Sequence, residues 1–303
     1  ILRSKREAAG SLDFDLDEAY ITLDEKGVPL SVNLCERRTA NRMIEEFMLA
    51  ANKTVAEQFF WLELPFVYRV HEKPDAEKMQ EFRTFLMGLS IRLKGEGGNI
   101  HPKALNEVLE QVAGTSYENV VNTVMLRSMK KAFYSTECEG HFGLSMKYYC
   151  HFTSPIRRYP DLIIHRIIKE YLHGGIDDER IAVLSKKTQE AAETSSVTER
   201  AAIELERDVE KMKKAQYMSY HLGEKFEGVI SGITGYGMYV ELENTIEGLV
   251  RLDRMYDDYY DSYPEQYRIV GQRTNKVYSL GQRVTVIVSD ADYYEGTIDF
   301  RLC

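Results

Sequence analysis

Ser154-Pro155-Ile156-Arg157-Arg158-Tyr159-Pro160-Asp161 sets two guanidinium groups directly ahead of an apolar, helix-patterned stretch. Pro160 favours a helix start, because the N–H it lacks has no intrahelical partner in a first turn. Helix-end amides and the positive end of the macrodipole attract anions, and arginine adds a planar, permanently charged fork that matches phosphate oxygens. The loop therefore predicts a phosphate site. Local chemistry alone also allows a plainer arrangement, with one arginine paired to a carboxylate and the other coating the surface. A second group, Asp13, Asp15 and Asp17, alternates with Leu12, Phe14 and Leu16 and would share one face of a strand. Exposed strand faces are commonly acidic, so a metal site is the lesser reading there. Cys35, Cys138, Cys150 and Cys303 are scattered, with no Cys-x-x-Cys and no zinc-like spacing to the seven histidines, which fits a reduced cytoplasmic compartment.

The elements that must position these groups follow from periodicity. Residues 11–34 alternate, pause at Asp24-Glu25-Lys26-Gly27 and resume, a hairpin pattern. Thr39 or Asn41 caps a predicted helix with Met43, Phe47, Ala51, Val55 and Phe59 on one core-packed face. Pro74-Asp75 opens another helix, with Met79, Phe82, Leu86 and Leu89 inward and Gly95-Glu96-Gly97-Gly98 closing it. Further helices are expected near 102–112 and 116–132. Residues 140–159 break the helical period and read as strand and ordered loop. From Pro160 onward Leu162, Ile163, Ile164, Ile167, Ile168 and Leu172 should be buried, and 177–221 is a long charged helical connector or arm. After Gly223 short alternating strands separated by Gly and Asn turns predict a small all-β barrel of roughly 80 residues. The fold class is α+β: a mixed helical and β domain over 1–222, followed by an OB-type barrel over 223–303.

The 303 residues suit about two domains, and no apolar run is long enough for a membrane span. The opening Ile1-Leu2-Arg3 lacks an initiator Met and reads as a piece of something longer. Net charge is -9, which taken whole argues against nucleic acid; residues 223–303, however, hold 8 Lys and Arg against 14 Asp and Glu, leaving the rest nearly balanced.

HFTSPIRRYPDLIIHR, with GHFGL just upstream, resembles the signature of the ribonuclease II/ribonuclease R family of exoribonucleases in its catalytic RNB domain. RTANRMIEEFMLAAN at 38–52 and ELERDVEKMKKAQYM at 204–218 are similar to family blocks in the same order. The β-module after Gly223 resembles an S1 RNA-binding domain, and DDYYDSYPEQYRIVGQR at 257–273 is similar to the ribonuclease R form of it. The resemblance implies a processive 3′-to-5′ exoribonuclease that hydrolyses single-stranded RNA from its 3′ end to nucleoside 5′-monophosphates, acting as a cytoplasmic monomer and depending on magnesium. The family's D-x(5)-D-x-D-D metal cluster has no counterpart here, so this chain alone is expected to be inactive, with the Mg2+ ligands lying outside it.

By the same resemblance Arg157 contacts a phosphate near the scissile bond, and Arg158 is the second RNA-facing cation. Phe14 stacks on terminal nucleotides, with a core Phe as the competing reading; Glu45 engages a ribose hydroxyl. Glu206 is a carboxylate near the catalytic end. In the barrel, Tyr236 and Tyr239 are the exposed aromatic pair on which bases stack. Arg251 replaces a customary His as a phosphate contact, and Thr297 stands where a basic residue is usual. His141, His151 and His165 are expected to be structural. Tyr256, Tyr259, Tyr260, Tyr263 and Tyr267 are expected to form a packed, Tyr-rich loop. The rival to an enzyme is a non-catalytic RNA-binding protein that retains channel and barrel; a helical protein-interaction scaffold is a third, which would bind no RNA even at low salt.

Overall fold

The computed structural model describes residues 1–12, 18–36, 38–95, 100–115 and 117–303. The acidic alternation at 13–17, including Phe14, lies outside them, as does most of the expected glycine-rich helix stop. The chain is α+β and divides into two compact units: residues 1–14, 37–111 and 124–202, and residues 15–36, 112–123 and 203–303.

In the first unit the helix Thr39–Trp61 starts one residue after Arg38, whose backbone N–H donates to Asn41 Oδ1 at 3.2 Å, so Asn41 caps from inside the first turn. Only its C-terminal half is core: Asn52, Ala56 and Phe59 are buried, whereas Met43 and Phe47, expected inside, are 55% and 57% exposed. The four-residue apolar step correctly marks a helix here but overstates how much of its stripe is covered. Ala76–Gly88 is capped by Asp75, whose carboxylate accepts from Glu77 N–H at 2.9 Å. This helix stops at Gly88, before the expected Gly95, and Phe85 rather than Leu89 completes its buried face. Tyr68–Val70 pairs antiparallel with Phe133–Ser135. Residues 140–158 form an ordered loop fastened by isolated bridges of His141 to His71 and to Met146, not by a strand.

GHFGL has a packing explanation. Gly140 adopts φ +83° and its carbonyl accepts from His71 N–H at 3.1 Å, while the Gly143 N–H donates to His71 Nδ1 at 3.0 Å; a Cβ on Gly143 would lie 3.0 Å from that same nitrogen. The helix Tyr159–Leu172 buries Ile163, Ile164 and Ile167 against Phe59, Phe66, Val70 and Tyr134. Leu172, expected inside, is exposed because the helix ends there with its side chain beyond the core.

Asp178–Ser219 is one helix of 42 residues. It is more than a charged arm: Leu184, Ala191 and Ala192 enter the first unit's core, and Ala215 and Met218 enter the second's. The alanines at 191, 192 and 215 let the helix backbone lie close to each core.

The second unit holds the hairpin Ala19–Leu23/Pro29–Leu34, turned by Asp24 and by Gly27 at φ +78°. It also holds a closed five-stranded barrel, in order Arg283–Asp292, Thr297–Leu302, Glu247–Arg251, Gly237–Leu242, Lys225–Thr234. Ile230, Val240, Val250, Val286 and Phe300 fill its interior. Gly248 is required, since a Cβ there would come within 2.5 Å of the Phe300 ring.

Between barrel strands, Tyr260–Tyr263, Arg268–Gly271 and Val277–Ser279 form a separate three-stranded sheet. The Tyr-rich loop is not packed as expected: Tyr256, Tyr259 and Tyr263 are exposed. What orders the insertion is Asp258. Its buried carboxylate accepts from the amides of Tyr259, Arg273 and Thr274 and from the Thr274 hydroxyl at 2.6 Å. These donors, led by that hydroxyl, hold the carboxyl well below the usual carboxylate range.

Candidate functional site

The two arginines of the first unit are not equivalent. The 154–158 turn closes on Ser154, whose carbonyl accepts the backbone N–H groups of Arg157 and Arg158 at 3.3 and 3.1 Å. Asp161, in the first turn of Tyr159–Leu172, is fully buried; one oxygen, Oδ1, accepts from Ser154 N–H at 2.7 Å and from Arg158 Nη2 at 2.8 Å. Arg158 is thus folded back as a clamp, its side chain 19% exposed, with Nε and Asp161 Oδ2 left without partners. Arg157 is exposed and its guanidinium has no hydrogen bond or ion pair among the described residues. The arrangement offers one free fork to solvent at a helix N-terminus and uses the neighbouring fork to fix the loop.

A buried network supports the strand-like segment leading into this loop. Asn52 Oδ1 accepts from Phe152 N–H at 2.9 Å, its amide donates to Tyr149 Oη at 3.3 Å, and its carbonyl receives the Cys150 thiol. Burial pushes that thiol up, out of reach of ionisation near neutral pH. His151 Nδ1 meets Tyr134 Oη at 2.9 Å; Arg69 lies over the Tyr134 ring and pairs with Glu199 at 2.6 Å. Burial, reinforced by Arg158 and Arg69, pushes His151 down to about 2, and burial beside His71 pushes His141 down to about 3. Both rings are neutral. His165 stacks on Phe152 and bonds its carbonyl.

Asn52, Asp161, Tyr134 and Glu199 are the positioning groups that residue-by-residue reading missed. Asp161 alone carried a local signal, an acidic residue three positions after the helix N-cap. Tyr134 and Glu199 come from distant segments and had none.

Of the other expected residues, Glu45 is half-buried in the second turn of Thr39–Trp61, beside Glu46, which takes two hydrogen bonds from Arg6 at 3.0 and 2.8 Å. Glu206 is exposed on the long helix within the second unit, and Phe14 lies outside the described residues. On the barrel, Tyr236 is 55% exposed at the turn before Gly237–Leu242, and its hydroxyl lies 3.0 Å from that of Tyr239. That contact, ahead of burial, pushes the Tyr239 hydroxyl up to about 12. The two tyrosines form a platform, with Tyr239 across from Gly232 and Leu249 on the neighbouring strands. Arg251 is engaged by Asp253 through Nε and Nη2 at 3.1 and 3.2 Å, so its charge is locally balanced. The turn at Asp292 precedes Thr297–Leu302, whose outward Asp299 adds an acid and whose Thr297 brings no cation.

Among the described residues no three His, Cys, Asp or Glu side chains converge to hold a metal ion, so they do not fit the magnesium that the resemblance implies. No described helix is long and apolar enough to cross a membrane.

A family model described as the RNB domain matches residues 1–174, and one described as the S1 RNA binding domain matches 219–302. The chain is 44% identical to ribonuclease R 1 of Lactococcus lactis over 99% of its own length and 37% of that protein. It is 42% identical to ribonuclease R of Thermotoga maritima, covering 43% of it. It superposes with a TM-score of 0.91 and 29% identity on Mycoplasma genitalium RNase R in complex with ribose-methylated single-stranded RNA, over 100% of this chain and 48% of that one. The chain thus spans less than half the length of these relatives.

Proposed function

The chain belongs to the RNB family of ribonucleases, carrying an RNB domain and an S1 domain, and from that premise we propose that it is the RNA-holding portion of a processive 3′-to-5′ exoribonuclease. In this reading single-stranded RNA enters by its 3′ end and is released as nucleoside 5′-monophosphates. The protein acts as a monomer in the cytoplasm. Magnesium in the whole enzyme would be held by ligands other than the described residues and would supply Lewis-acid chemistry to the attacked phosphate.

The observation that carries the reading is the division of labour between the adjacent arginines. A free, permanently charged fork held by a rigid turn is suited to a backbone phosphate, and the buried Arg158–Asp161 pair stops the turn from relaxing around it. Tyr236 and Tyr239 add a base-tolerant stacking surface, since every base has a π-face. Glu45 is assigned the ribose hydroxyl and Glu206 the catalytic end, both on the family resemblance.

The test is titration of the full chain with labelled single-stranded RNA. Arg157→Ala should weaken binding about tenfold, the scale of one charge-assisted hydrogen bond, with an unchanged urea midpoint. Glu45→Ala should narrow the preference for RNA over DNA of the same sequence. Absence of RNA binding by the chain, or wild-type affinity in Arg157→Ala, would overturn the reading.

A further inference from the structure

The barrel segment 223–303 is acidic, yet four of its eight cations converge on one cavity of about 670 Å3, against one of its fourteen carboxylates. The cations are Lys225, Arg254, Lys276 and Arg301, the carboxylate is Asp257, and Tyr256, 87% exposed, stands at the wall. The barrel register explains the convergence. Lys225 pairs with Ile287, and Ile287 with Arg301, so the two cations project from the same outward row on either side of a partly buried Ile. Lys225 and Arg301 have no ion-pair partner among the described residues. Arg254 is held by Asp299 at 2.8 Å, and Lys276 reaches Asp257 only at 3.5 Å while lying over the Tyr278 ring.

This cavity is distinct from the tyrosine platform. Outward from Tyr239 the cross-strand neighbours are Leu249 and then Asp299, and Arg301 follows Asp299 two residues along the same strand face. Two strand spacings, about 10 Å, therefore separate the platform from the edge of the cavity. Asp299, which holds Arg254 at the cavity wall, stands between them.

We propose that this cavity is a second RNA contact on the barrel, in which Lys225 and Arg301 take consecutive backbone phosphates and the Tyr256 ring receives a base. The inference rests on the function proposed above. Unpaired cations concentrated on a net acidic module favour a polyanion held at short range, and an exposed aromatic ring at the wall favours a nucleic acid over an acidic peptide, which has no planar base to stack.

The experiment uses the full chain and a 5′-labelled oligouridylate, with affinity measured by anisotropy across a series of KCl concentrations. Lys225→Ala with Arg301→Ala should lower the slope of log affinity against log salt by about 1.4, at about 0.7 per phosphate on a single strand. Lys225→Arg with Arg301→Lys should preserve the slope. Tyr256→Ala should weaken binding without altering it. A 4-thiouridine-substituted strand should photocrosslink to Tyr256. An unchanged slope in the double alanine variant, or no crosslink at Tyr256, overturns the proposal. So does retention of RNA affinity in that variant together with loss of polyglutamate binding, because the site would then belong to an acidic protein segment. If wild type binds RNA and responds to Arg157→Ala while these variants do not differ from it, only the second contact fails. If wild type binds no RNA, the functional reading fails with it.

Discussion

Removing either partner of the Arg158–Asp161 pair should destabilise the first unit, and removing both should cost far less than the sum. Asp161 is fully buried and Arg158 is 19% exposed at its side chain, so truncating one strands an uncompensated charge. Breaking a buried pair in this way costs about 3–5 kcal/mol, and residual solvent access to Arg158 puts the expectation at about 3 for Asp161→Ala and about 3 for Arg158→Met. In the double variant both charges are gone. Its remaining losses are the Ser154 N–H, which donated to Asp161 at 2.7 Å, and a small void. Its cost should be about 3 kcal/mol rather than about 6, a coupling near 3. Urea unfolding followed by far-UV circular dichroism and by Trp61, the sole tryptophan, reports on this unit, since Trp61 packs on Phe60 and Tyr148 there. Single substitutions below about 1 kcal/mol, or additive losses, would show that Arg158 does not clamp the loop.

Histidine burial sets a pH dependence: His141 and His151 stay neutral in the folded chain while their unfolded counterparts protonate near the ordinary value of about 6.5, so stability is complete above that pH and falls as pH is lowered from 7 to 5.5. His141→Asn keeps an acceptor for the Leu144 N–H and should flatten the urea-midpoint profile in that window; an equally steep profile counts against it. Tyr236→Ala with Tyr239→Ala should lose about 1–3 kcal/mol of RNA binding per base unstacked, while the paired Phe substitutions bind nearly as wild type; equal losses in both pairs would make the hydroxyls the contact. Asp258→Asn should speed hydrogen exchange across 260–279 and leave the barrel strands protected, an effect that acidification below the usual carboxylate range, toward the depressed value of Asp258, should mimic in the wild type. With magnesium the chain should leave end-labelled RNA intact, and release of mononucleotides would direct attention to Asp13, Asp15 and Asp17.

The barrel was legible because its strands alternate with period two and its turns carry Gly and Asn, signals that depend on neighbours in sequence. The loop before Tyr159–Leu172 was legible for the same reason: the cations, the proline and the cap acid lie within eight residues. What escaped depends on distant chain. Met43 and Phe47 have the same four-residue spacing as Phe59, and nothing in that spacing says which turns are covered. The exposed Tyr256 and Tyr259 reverse the expected packed loop because Asp258, one carboxylate with five donors from 259, 273 and 274, replaces an aromatic core. The Tyr134–His151–Glu199 connection joins three segments with no shared periodicity.

Net charge misdirects for a related reason. A total of -9 counts a paired arginine and a free one alike, but a phosphate senses only charge that is not already compensated at short range. Arg158, Arg251 and Arg254 each face a carboxylate at 2.8–3.2 Å, and their fields are largely cancelled. Arg157, Lys225 and Arg301 face none among the described residues, and they sit where backbone geometry holds them still: one on a turn closed by Ser154, two on the barrel strands that flank Arg283–Asp292. On the proposed function, excess carboxylate elsewhere on the surface would repel RNA that approaches out of register, so an acidic chain with a few fixed, uncompensated cations would discriminate among approaches that a uniformly basic one would accept.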